Sequence, residues 1–140
     1  MKKLSILLVL ALTGAAWMTA AHHESGPKNI ASVHDIMEDV VKPNMDALAA
    51  MRKAGGPQNE KEWKKAKSAA SLVGEGVQLS LNGDRVKDDV WKSGGEKSVA
   101  GAIATVAAAK AMDTDAWMAG VTQMGQGCRS CHKKHKPKKE

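Results

Sequence analysis

The chain contains no phenylalanine and no tyrosine, and aromatic residues make up 3% of its 140 positions. A core assembled without them has to be filled by Ala, Val, Leu and Met, which leaves it short of large planar groups. Cysteine is almost as scarce. Cys128 and Cys131 are the only two, so a framework of several disulfides is excluded. Beyond the N-terminal stretch no long apolar run occurs, which excludes a membrane-spanning helix in the rest of the chain. No segment alternates apolar and polar residues in the manner of a strand, so nothing suggests an alternating βα domain. Internal repeats are absent, and the one biased segment is the lysine-rich tail.

The N-terminus reads as a secretory signal peptide. Lys2 and Lys3 form a basic lead, residues 4–16 an apolar run, and Thr19, Ala20 and Ala21 a small-residue cleavage site. No cysteine follows the apolar run, which argues against a lipid anchor. Cleavage after Ala21 leaves residues 22–140 as one domain with a core over about 30–136, and places the product in the periplasm with no membrane attachment. Without Lys2 and Lys3, 19 basic residues face 15 acidic ones, a net charge of +4. His22 and His23 at the new terminus read as a solvated end.

What stands out instead is Cys128-Arg129-Ser130-Cys131-His132 near the C-terminus, the Cys-x-x-Cys-His pattern of covalent haem attachment. Two thiols three residues apart suit thioether bonds to the two vinyl groups of one haem, and the adjacent imidazole can ligate its iron. The competing readings fit less well. A thioredoxin-like pair belongs after a strand, and a structural zinc site needs four ligands, which His132 and His135 could complete only by crowding all four into one short segment. A simple disulfide is the remaining alternative. Export favours haem, since this attachment takes place outside the bacterial inner membrane.

Helical periodicity fills the rest. Val33, Ile36, Met37, Val40, Val41, Met45, Leu48 and Met51 form an apolar stripe, opened by Ser32 with Asp35 and closed by Gly55-Gly56-Pro57. Pro43 inside it predicts a kink or break. Asn59 with Glu62 opens a second helix carrying Trp63, Ala66, Ala70, Val73 and Val77. Residues 82–95 read as a loop, with Trp91 as a plug over one end of the core. A third helix is expected from about residue 96 to 112, rich in alanines that permit close approach. Asp113 or Thr114 caps a fourth, whose inward face carries Trp117, Val121, Met124, Cys128 and Cys131. The expected fold is all-α, an antiparallel up-down-up-down four-helix bundle with covalently bound haem. The attachment motif and the start of the first helix should then share one end.

With these features the chain resembles the class II c-type cytochromes, the cytochrome c prime family, over about residues 30–136. The resemblance rests on the C-terminal Cys-Arg-Ser-Cys-His-Lys-Lys and on Val33-His34-Asp35-Ile36-Met37 followed by Lys42-Pro43. It implies one haem c per chain, bound covalently by Cys128 and Cys131, with His132 as the proximal iron ligand. It further implies that Met37 is the distal ligand, giving the low-spin His/Met form suited to electron transfer. His34 is a rival one turn earlier, better placed at the rim, while Met45 and Met124 read as packing. The chain departs from the family where an aromatic residue and an arginine commonly follow the haem histidine. His135 and Lys136 stand there, and an arginine common near the start of the first helix is absent.

The resulting expectation is a periplasmic one-haem electron carrier rather than an enzyme. The alternative is a five-coordinate cytochrome that binds nitric oxide or carbon monoxide. Lys133, Lys134, Lys136, Lys138 and Lys139 beside the motif suit a solvated helix end, or a rim that steers an acidic redox partner. Nucleic acid is not an expected partner, and a face of small residues would permit a homodimer.

Overall fold

The computed structural model describes residues 29–136. The signal peptide read at residues 1–21, His22, His23 and residues 137–140 of the tail lie outside the described residues. Within them the chain forms four long helices and no strand.

The first, α1, runs without interruption through α-helical Val33–Asp35, π-helical Ile36–Val41 and α-helical Lys42–Lys53. Ser32 caps it reciprocally. Its hydroxyl accepts from the Asp35 amide at 3.1 Å, and the Asp35 carboxylate accepts from the Ser32 amide at 3.1 Å. The break expected at Pro43 takes the form of the π turn just before it. Proline has no N–H to donate, and the helix widens so that the Lys42 amide reaches back five residues to the Met37 carbonyl. The Asn44 side chain donates to the Val40 carbonyl at 2.7 Å, supplying a donor where the backbone ladder is disturbed. At the far end Gly56, with φ of 110°, lets its amide return to the Met51 carbonyl at 2.9 Å.

Helix α2 spans Glu60–Leu79, with Asn59 accepting from the Glu62 amide at 3.0 Å. A 3₁₀ turn at Gly83–Arg85 leads to α3, which spans Asp89–Ala111. The loop expected over residues 82–95 is therefore corrected: its second half is helix. Asp88 caps that helix by accepting from the Trp91 amide at 2.9 Å. Gly94 and Gly95, which read as breakers, are helical positions where neighbours leave no room for a side chain. A β-carbon on Gly95 would lie 2.5 Å from Leu81 Cδ2. Met112 in the left-handed region (φ 54°) and Asp113 turn the chain into α4, Thr114–His135.

Contacts run in opposite order along each neighbouring pair, so the helices alternate in direction. Gly101 faces Met124 while Gly94 faces Ser130 and Cys131; Gly74 faces Ala102 while Gly95 faces Leu81. The bundle is thus antiparallel in sequence order. Its core joins Ile36, Leu48, Val73, Trp117 and Met124 to a bed of buried alanines. Trp63 and Trp117 meet edge to face with centroids 6.3 Å apart. The tightest pair is α3 with α4, because Gly94, Ser98, Gly101 and Thr105 of one helix meet Gly120, Met124 and Gly127 of the other. Helix α1, in contrast, touches α4 only sparsely. That uneven closure leaves a gap at one end. No helix of the described residues is long and apolar enough to cross a membrane.

Candidate functional site

The gap between the start of α1 and the end of α4 is a cleft of about 600 Å³, within the range of about 300–1,000 Å³ for small-molecule and cofactor sites. One wall comes from α4: Gly127, Cys128, Cys131, His132, His135 and Lys136. The opposite wall comes from α1: Val33, His34, Met37, Glu38, Val41, Lys42 and Met45. Val77 and Ser80 of α2, with Trp91, Gly94, Gly95 and Ser98 of α3, also line the cleft. The fold brings Cys128, Cys131 and His132 together on one wall and sets Met37 on the other.

Both cysteines are unpaired and partly buried. Ser98, itself 2% exposed, donates its hydroxyl to the Met124 carbonyl at 3.1 Å and stands 3.5 Å from Cys128 Sγ. It thereby ties the first thiol to the α3–α4 seam. Burial, followed by the charges of Cys128 and Asp88, pushes the Cys131 thiol above its ordinary pKa and keeps it protonated. His132 lies at the mouth, with a good part of its surface in solvent. Enough protein flanks the ring that burial, with Lys136 as the second cause, lowers its pKa and favours the neutral imidazole, the form that binds a metal.

The far end of α4 is fastened by a cluster the sequence did not reveal. Asp88, the cap of α3, accepts from Lys134 Nζ at 2.6 Å and contacts His135 Nε2 at 3.1 Å. The Lys134 contact is the first cause of a strongly lowered Asp88 pKa, followed by the bond from the Trp91 amide and by His135. Trp91 meets His135 edge to face at 5.3 Å between centroids, and its indole N–H donates to the Ser80 carbonyl at 2.8 Å. So Trp91 is buried as expected of a plug, but it also braces the last turn of α4 just beyond His132. The sequence signal for this cluster was the exceptional tryptophan in a polar stretch.

Of the remaining sequence candidates, His34 lies at the exposed rim of the cleft, and Met124 is fully buried in the core. Met45 packs against the core as expected and also lines the cleft, so two thioethers reach it. Among the described residues no three His, Cys, Asp or Glu side chains converge on a point that could hold a metal ion.

In donor set and cleft volume the residues fit a haem. Two free thiols and an imidazole share one wall, thioethers come from another helix, and the lining is largely apolar. A scan against protein-family models and searches of curated proteins and solved structures gave no match to this chain.

Proposed function

We propose that the protein is a class II c-type cytochrome, a periplasmic electron carrier with one covalently bound haem c. The observation that carries this reading is the cleft itself, which Cys128, Cys131 and His132 of α4 line together with Met37 of α1. Cys128 and Cys131 would form the thioether anchors, His132 would hold the iron from the proximal side, and Met37 would hold it from the distal side. Such a haem, when bound, supplies one-electron exchange between ferric and ferrous iron. The chain's own part is to fix and shield it. Ser98 positions the first thiol, Gly94 and Gly127 bring α3 against the anchor helix, Val41 and Val77 exclude water, and Asp88 with Trp91 holds the final turn of α4. Lys42, Lys87 and Lys136 at the cleft give it a positive margin suited to an acidic redox partner.

The test is mass spectrometry and optical spectroscopy on protein produced with a haem-attachment system. The expected result is a mass increased by one covalent haem and a reduced spectrum with low-spin bands that carbon monoxide leaves unchanged. A chain that acquires no haem overturns the proposal. A high-spin spectrum that shifts promptly with carbon monoxide replaces the electron carrier with the gas-binding form.

A further inference from the structure

The start of α1 carries the cleft residues Val33, His34 and Met37, yet the core does not hold it. None of residues 29–35 is buried. The first inward anchor is Ile36, which sits with Val40 and Val41 over Gly76 of α2. Contacts between α1 and α4, across the cleft, are sparse. The reciprocal cap of Ser32 and Asp35 ties the first turn only to itself. Ile36–Val41 is in addition a π turn, a conformation uncommon outside single bulges. The rotation of the short piece before it therefore depends on what holds that piece from outside.

The hold comes from the link between α2 and α3. Gly83, with φ of 53°, turns the chain there in a conformation that glycine adopts without strain. The next two side chains reach the lead of α1. The Asp84 carboxylate accepts from the Asn29 side-chain amide. Arg85 donates from Nη2 to the Ala31 carbonyl at 2.5 Å and from Nη1 to the Leu79 carbonyl at 2.9 Å. Leu79 is the last residue of α2, where carbonyls lack partners within the helix. One guanidinium thus bridges the end of α2 to the residue before the α1 cap. Two adjacent residues of one turn grip two alternate residues of the lead, and Ile30 between them is 97% exposed, so apolar burial adds nothing at that point.

We propose that Asp84 and Arg85 form a clasp that sets the start of α1, and that Arg85 is the positioning residue for Met37 at the cleft. Two carbonyls on different elements need donors at a fixed separation, which a planar guanidinium supplies and an ammonium does not. With the clasp closed, Met37 is held at the cleft; with it open, the first turn swings on Ile36 and carries Met37 with it. The part that concerns Met37 rests on its reading as the distal ligand, while the clasp itself belongs to the chain alone.

Hydrogen exchange and carbon monoxide binding on the haem-loaded protein test it, with the wild-type spectrum recorded first. Arg85→Gln should speed amide exchange at residues 35–41 about tenfold and leave α4 unchanged. The ferrous form of this variant should bind carbon monoxide about tenfold faster than wild type, because the open fraction of the site rises by that factor. Arg85→Lys, able to serve one carbonyl at a time, should fall between. Arg52→Gln, at an exposed position near the other end of α1, should match wild type. Exchange at residues 35–41 that Arg85→Gln leaves unchanged, or that rises equally throughout the bundle, overturns the clasp. Arg85→Lys equal to wild type overturns the bridge between two carbonyls. Faster exchange with unchanged carbon monoxide binding overturns the positioning of Met37. A wild type that is already high-spin overturns the electron-carrier reading instead, and the exchange results still decide the clasp.

Discussion

Gly94 on α3 and Cys131 on α4 lie so close that a β-carbon on the glycine would stand 3.1 Å from that of the cysteine. The Cys131 thiol is therefore placed by the absence of a side chain on the neighbouring helix. At Gly127 the fit is tighter still, since an added β-carbon would come 2.5 Å from the Gly94 carbonyl oxygen and 2.6 Å from the Ser98 amide. Those are backbone atoms that cannot swing aside. Gly127→Ala should lower stability by about 3 kcal/mol and Gly94→Ala by about 1–2 kcal/mol, as overpacking does. Gly125 is the control. Only Arg129 Nη1, at 3.8 Å, lies near its missing β-carbon, so Gly125→Ala should gain about 0.5–1 kcal/mol from helix propensity. Denaturant unfolding of the three variants checks the order; equal effects at positions 125 and 127 would refute the packing argument.

Trp91→Phe should cost about 1–3 kcal/mol, because it strands the Ser80 carbonyl and removes the indole bond of 2.8 Å. The loss should appear in hydrogen exchange as earlier opening of the last turn of α4 and the start of α3. An exchange pattern that changes only in α2 would contradict this bracing role.

Asp88 gives the fastening of α4 a pH dependence. Its folded pKa lies below the ordinary value of 3.8, with the Lys134 contact as the leading cause. A carboxylate lowered by folding contributes stability that is complete above its unfolded pKa and is lost as pH falls through the folded one. Asp88→Asn retains a capping side chain but drops the charge. The difference in melting temperature between wild type and this variant should therefore be constant near neutrality and shrink below about pH 4. A difference that does not change on acidification would show that the charge contributes nothing.

Met37→Leu conserves volume on a wall where packing changes cost less than about 1.5 kcal/mol. In haem-loaded protein it should convert a low-spin spectrum to a high-spin one that responds to carbon monoxide, while Met45→Leu leaves the spectrum unchanged. The opposite pattern would move the distal role to Met45, the other thioether at the cleft.

The parts legible in the sequence were those set by neighbours along the chain. Ser32 with Asp35, Asn59 with Glu62, and Asp113 each cap the helix they announce, and the apolar stripes identify the inward faces. The start of α3 was hidden because Gly94 and Gly95 carry a local signal for a break. They are kept in the helix by α4 and Leu81, whose closeness no local pattern reports. The same holds for the site. Cys128, Cys131 and His132 fall in one five-residue motif, whereas Met37 is singled out by the resemblance and by its place on the apolar face of the first helix. The contacts of Asp88 with Lys134 and His135 span 46 and 47 residues, and no periodicity encodes them.

The π turn at Ile36–Val41 has a consequence for the wall opposite the thiols. Val33, Met37, Val41 and Met45 all reach the cleft, at steps of four. On an α-helix of 3.6 residues per turn each such step overshoots by about 40°, and the row would wind off the cleft before its end. The widened turn takes up that excess and keeps the four side chains aligned. In effect it is a one-residue insertion held within a helix, and Pro43 marks where ordinary pitch resumes. Removing one residue from the turn would restore a regular helix and rotate everything before it by about 100°. Met37 would then be carried away from the thiols while the core-facing row beyond Pro43 stayed in place.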